Sequence, residues 1–147
     1  MTTTPPPALI AGAGLAGLVV WEIIARVIAP IAIGTELVPA GLIQAVLGIE
    51  SETLATVLHG VVGIIAFPLG YILVFRPIMA MLTNKLPWWV LGGIYGVALW
   101  VFALYFMAHL IAGYPAFLGF SPLTWVSLIG HVAYAIVMAG VLHWRTA

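Results

Sequence analysis

Cysteine and aspartate are both absent from the 147 residues, and charged side chains make up only 5% of the chain. Without cysteine there are no disulfides, thiolate nucleophiles, Cys-ligated iron–sulfur clusters or covalent c-type haem. A soluble domain carries about 25% charged residues, so this chain has too few to coat a water-facing surface. The formal net charge is zero, which provides no basic footprint for nucleic acid. The absences together indicate an integral membrane protein.

Hydrophobic residues make up 65% of the chain and gather in four long runs. A helix needs about 20 apolar residues to cross a hydrocarbon core of about 30 Å. The runs predict an all-α fold, an integral membrane four-helix bundle forming one domain over residues 1–147. Its spans are predicted at about 8–33, 53–75, 88–112 and 122–144. Ser51 is a candidate N-cap for the second span. We expect Pro30 to kink or end the first span and Pro68 to kink the second.

The loops predict how the bundle is oriented. Residues 39–49 are apolar but too short to cross, so we predict a short interfacial segment between spans one and two. Arg76, Lys85 and Arg145 lie in the second loop and at the C-terminus, whereas the first and third loops carry no basic residue. The positive-inside rule then predicts that both termini are cytoplasmic in a multi-pass protein of the cell (inner) membrane.

The first span contains GAGLAG, in which Gly12, Gly14 and Gly17 match the G-x-G-x-x-G dinucleotide fingerprint. That fingerprint requires a strand before it and a helix after it, and here it lies inside one apolar span. We interpret these glycines as positions where neighbouring helices approach closely.

Glu22 and Arg26 lie near the middle of the first span, where ionisable groups are rare and costly. Their i,i+4 spacing suits an ion pair on one helix face. Such a pair has either a structural or a functional role, and we expect neighbouring helices to enclose it. His109 is a further polar intramembrane residue, roughly 13 Å outward from the bilayer centre.

His59 and His131 lie on different spans at similar depths, roughly 7 and 3 Å outward. One interpretation is two neutral interior histidines, with Ser127 one turn before His131 as a local partner. A second is haem b, held axially by His59 and His131, with Arg26 meeting a propionate. A third is a non-haem metal or proton relay, in which Glu22 joins the same two histidines.

At HGVVGIIAFPLGY and IGHVAYAIVMAG, the chain resembles small bacterial four-span membrane proteins. Their shared features are a His-small-small pattern in the second span and a Gly-His-x-x-Tyr pattern in the fourth. The resemblance implies a membrane protein of four helices and no particular activity.

Three functions follow as hypotheses. The first is an accessory subunit of a larger membrane complex of respiratory or photosynthetic type, because the chain has almost no extramembrane domain. Its expected partners are the lipid bilayer and other membrane subunits or further copies of itself. The second is a haem b electron-transfer protein. The third is a small proton-coupled transporter or channel using Glu22. A stand-alone enzyme is not indicated, and no catalytic residue is assigned.

Overall fold

The computed structural model describes residues 5–83 and 85–146, and the regular structure within those ranges is helical. Four helices are long and apolar enough to cross a membrane: α1 (Pro7–Ile33), α3 (Glu52–Leu82), α4 (Trp88–Ile111) and α5 (Pro122–Thr146). A short helix, α2 (Pro39–Leu47), joins α1 to α3, and Ala116–Phe120 forms a 3-10 turn before α5. The predicted all-α fold with four membrane-length helices is confirmed.

Local sequence signals account for most of the helix boundaries. The Ser51 hydroxyl accepts the Leu54 N–H at 3.1 Å, so the predicted N-cap of α3 is confirmed. Helix α1 ends at Gly34, whose φ of 75° lies in the left-handed region that glycine adopts without steric cost. Helix α3 differs from the prediction because it continues to Leu82 instead of ending near residue 75.

Prolines inside the long helices follow widened, π-helical turns. The turns and the prolines that follow them are Ile24–Ile28 with Pro30, Val62–Ala66 with Pro68, and Tyr71–Phe75 with Pro77. In a π-helical turn the backbone bonds reach to the fifth residue back. Proline has no N–H to donate, so the carbonyl five residues before it loses its helical donor. The helices therefore continue through Pro30 and Pro68 and leave one carbonyl free at each.

The carbonyls freed by Pro30 and Pro68 are both bonded from another part of the fold. The Ala25 carbonyl, five residues before Pro30, accepts the Leu37 N–H at 3.1 Å. The Gly63 carbonyl, five residues before Pro68, accepts the Tyr134 hydroxyl at 2.5 Å. The first bond pulls the chain after α1 back against that helix, and the second joins α5 to α3.

Helix α5 is the best-buried span and lies at the centre of the bundle, between α1 and α4. In the most apolar stretch of α5, 44% of the residues are buried, compared with 17% in the corresponding stretch of α3. A Cβ atom added to Gly96 of α4 would lie 2.5 Å from the Val132 Cα of α5. Likewise, Gly14 and Gly17 of α1 lie directly against Ile64 and Tyr134. Close helix packing at the GAGLAG glycines is thus observed at Gly14 and Gly17.

Candidate functional site

A cavity of about 220 Å³ lies beneath α2 and is lined by all four long helices. It exists because the Leu37–Ala25 backbone bond returns the chain to α1 and leads into α2. Leu37 and Ala40 are consequently buried, with 4% and 3% of their surface exposed. Most of the wall is apolar, and the polar side chains on it are Trp21, His59, Ser127 and His131.

Trp21 of α1 contacts both imidazoles of the cavity. Its ring centroid lies 4.6 Å from that of His131, in an edge-on arrangement, and 6.1 Å from that of His59. The indole fits there because Gly130 has no side chain: a Cβ at that position would lie 2.6 Å from the six-membered ring. Trp21 is only 6% exposed, and its Nε1 has no hydrogen-bond partner among the residues that the structure describes.

His131 of α5 has one ring nitrogen engaged, whereas the other forms no hydrogen bond among the described residues. Its Nδ1 lies 2.8 Å from the Ser127 carbonyl oxygen and 3.3 Å from the Ser127 hydroxyl. A proton on Nδ1, donated to that carbonyl, makes Nε2 the acceptor of a neutral ring. Ser127 is therefore the local partner that the sequence suggested.

His59 of α3 is the less constrained imidazole. No hydrogen bond to either of its ring nitrogens is formed within residues 5–83 and 85–146. The carboxylate of Glu22 and the guanidinium of Arg26 are its electrostatic neighbours. Two histidines from separate spans thus meet at one cavity, with Trp21 in contact with both.

Glu22 and Arg26 form the expected ion pair, with 2.5 Å between Arg26 Nε and Glu22 Oε2. A second carboxylate, Glu36, lies 3.5 Å from Arg26 Nη1 because the chain after α1 folds back along the helix. The side chains of Arg26 and Glu22 remain 48% and 36% exposed. The expectation that neighbouring helices enclose the pair is wrong for the single chain, since α1 presents these groups on an outer face.

His109 lies apart from this cavity. Its Nδ1 is 2.8 Å from the Tyr114 carbonyl oxygen, so it stabilises the turn that follows α4. Its ring also packs at 5.4 Å from that of Tyr105. His109 therefore joins neither the histidines of the cavity nor the Glu22–Arg26 pair.

Two residues of this region, Trp21 and Glu36, are not among the candidates that the sequence predicts. Trp21 was indistinguishable from the other apolar residues of its span, and only its pairing with Gly130 across the bundle singles it out. Glu36 lies in the first loop, where nothing nearby in the sequence indicates a partner for it. The sequence signal for its contact with Arg26 is Pro30 followed by Gly34. Pro30 frees the Ala25 carbonyl, and Gly34 allows the chain to reverse.

The haem hypothesis can be tested against the space beside the two histidines. A flat macrocycle ligated by His59 and His131 has to lie between their rings, but Trp21 contacts both rings and fills the space left by Gly130. Arg26, the expected propionate partner, is already paired with two carboxylates. The residues present do not fit a haem in this arrangement. Among the described residues, no group of three His or Glu side chains assembles into a metal site either.

The fold and cavity define a small protein with four membrane-length helices and a largely apolar pocket that carries two histidines on its wall. No family model, curated protein or solved structure matches the chain. The resemblance to small bacterial four-span proteins therefore stays a prediction.

Proposed function

We propose that this chain is a multi-pass membrane protein that binds a lipophilic molecule carrying a carbonyl or hydroxyl oxygen, the chemistry of a quinone head group. The observation that carries the proposal is the convergence on the cavity wall of His59, His131 and Trp21, whose Nε1–H is buried without an acceptor among the described residues. A buried donor with no partner costs about 1–3 kcal/mol, and a ligand oxygen would remove that cost.

The remaining wall supports the same class of ligand. His131 offers Nε2 as an acceptor, and His59 offers two ring nitrogens that protein groups leave unused. Val38, just before α2, and Phe102 of α4 line the cavity and are about half-exposed, at 52% and 46%, which favours an opening between these two segments. The polar head of such a ligand would lie at the two histidines, and its apolar tail would contact the apolar wall and leave through this opening.

The test is binding of a short-chain quinone analogue to the purified protein, followed by thermal stabilisation at rising ligand concentration. Trp21→Phe keeps an aromatic six-membered ring but removes the pyrrole ring with its N–H, and we expect affinity to fall by about tenfold, the loss of one buried hydrogen bond. Trp125→Phe is the matched control, because Trp125 is 49% exposed and lies outside the cavity. Equal affinities for the two variants, or no stabilisation of the unaltered chain, contradict the proposal.

An accessory role in a larger membrane complex is the second candidate. Its support is the low burial of α3, since only 17% of its apolar window is covered within the chain. Lipid or helices of another subunit must cover the remainder. Gentle solubilisation that yields the chain alone, with no partner at any stage, counts against this role.

The transporter hypothesis rests on Glu22 and stays a prediction. Glu22 is paired and partly exposed, and it lies beside His59 without lining the cavity. A proton-conducting role predicts that Glu22→Gln abolishes flux into liposomes. Unchanged flux removes Glu22 from the mechanism. The cytoplasmic placement of both termini and the choice of the inner membrane also stay predictions.

A further inference from the structure

The charged residues of this chain are segregated between its two ends. All four acidic residues, which are Glu22, Glu36, Glu50 and Glu52, lie in α1, in the chain leading to α3 or in the first turn of α3. Three of the four basic residues lie toward the opposite end: Arg76, Lys85 and Arg145. Arg26 is paired with acidic residues, whereas the other three cations form no ion pair among the described residues. The second end is therefore an unneutralised cationic region.

A cavity of about 560 Å³ opens at this cationic end, distinct from the one at His59 and His131. Arg76 lies in the last two turns of α3 and Thr83 directly follows that helix. Both residues line one side of the cavity. His143 of α5 and Trp88 of α4 line the other, with their rings stacked at 5.8 Å. Its floor is apolar, formed in part by Leu91 and Leu142.

The extension of α3 past its predicted end creates this cavity. Pro77 follows the widened turn Tyr71–Phe75 and the helix continues to Leu82, so Met79 and Ala80, beyond the predicted end, line the cavity together with Arg76. Arg76 lines the cavity together with Tyr71, and the positive-inside rule predicts that it lies where the span meets the head groups. Trp88 and Trp144 pack edge-on at 5.9 Å at the same end of the bundle, as expected for an aromatic belt.

We propose that this cavity binds the head group of an anionic phospholipid. Arg76 supplies a planar fork of donors that suits two phosphate oxygens at once. Thr83 and His143 offer further polar contacts, and the apolar floor accepts the start of an acyl chain. Basic pockets between spans at the cytoplasmic face are where anionic head groups bind in membrane proteins. At the acidic end, Arg26 is already paired with Glu22 and Glu36, so the described residues there offer no comparable site for the same lipid.

Retention of phosphatidylglycerol and of phosphatidylcholine, measured by native mass spectrometry on the full chain, tests this site. We expect the unaltered protein to retain phosphatidylglycerol preferentially and Arg76→Gln to weaken that retention by about tenfold, as for the loss of a charge-assisted bond. Lys85→Gln is the matched control, because it removes one charge from the same end without touching the cavity wall. Arg76→Lys keeps the charge but not the fork and should fall between the two.

Three results overturn the proposal: equal retention of the two lipids by the unaltered chain, equal losses in Arg76→Gln and Lys85→Gln, or displacement of the lipid by soluble glycerol phosphate at millimolar concentration. The last result identifies a site for free phosphate esters instead of a membrane lipid. Met79→Trp provides a second variant, since it fills the cavity without changing charge and must also reduce retention. If Arg76→Gln does not fold, Met79→Trp alone decides the outcome. Quinone binding at the other cavity is unaffected in all these variants.

Discussion

The Tyr134 hydroxyl donates to the Gly63 carbonyl at 2.5 Å, across the interface between α5 and α3. The carbonyl is available because Pro68 has no N–H to complete the widened turn before it. A proline in one span thus creates an acceptor that a tyrosine in another span uses. This bond and the Tyr95–Phe67 bond, at 2.7 Å, hold the poorly buried α3 to the bundle.

Replacing Tyr134 with phenylalanine removes this interhelical bond and keeps the ring. We expect the free energy of unfolding in detergent to fall by about 0.6–1.7 kcal/mol, the range for hydrogen bonds between membrane helices. Tyr114→Phe is the control, because Tyr114 is 43% exposed on the loop after α4. A Tyr134→Phe protein as stable as the control means that the freed carbonyl finds another donor.

Gly96 allows α4 to approach the backbone of α5, so an added methyl group has nowhere to go. We predict that Gly96→Ala destabilises the protein by about 1–3 kcal/mol, because the neighbouring atom is backbone and cannot move aside. Gly93→Ala on the same helix is the matched control, since its Cβ meets no atom within 4 Å. Thermal unfolding of the two variants side by side measures the difference, and equal midpoints contradict close α4–α5 packing at Gly96.

Pro30 governs the return of the chain over the first cavity. In Pro30→Ala, the new N–H of residue 30 competes with Leu37 for the Ala25 carbonyl. We expect faster amide hydrogen exchange at Leu37 and weaker binding of a quinone analogue, because α2 is held less firmly over the cavity. Pro115→Ala, in the loop after α4, should leave the exchange of Leu37 unchanged. Unaltered exchange in both variants shows that packing of Leu37, and not the backbone bond, holds α2 in place.

The absence of cysteine makes the predicted orientation directly measurable, because any introduced thiol is the only one present. We expect Glu36→Cys to react with a membrane-impermeant maleimide added to intact cells, since Glu36 follows α1 on the predicted outer side. Lys85→Cys should react only after the membrane is permeabilised. The reverse pattern inverts the orientation and moves the anionic-lipid site to the outer leaflet.

The sequence alone determined the class of fold. Helix length and apolarity are properties of contiguous residues, and about 20 apolar residues in a row have few alternatives to crossing a bilayer. The N-cap at Ser51, the Glu22–Arg26 pair and the Ser127–His131 contact were also readable, because each joins residues within one helical turn. Similar depths for His59 and His131 followed from counting along the spans.

Only the tertiary structure decided what surrounds those groups. Trp21 contacts both histidines because α1, α3 and α5 have particular rotations about their axes, and the composition of an almost uniformly apolar helix does not encode that rotation. Glu36 meets Arg26 because the chain reverses at Gly34 and bonds to a carbonyl that Pro30 freed. The outward exposure of the Glu22–Arg26 pair is likewise set by which faces of α1 the other helices cover. These are contacts between distant segments, and they form only when the whole bundle packs.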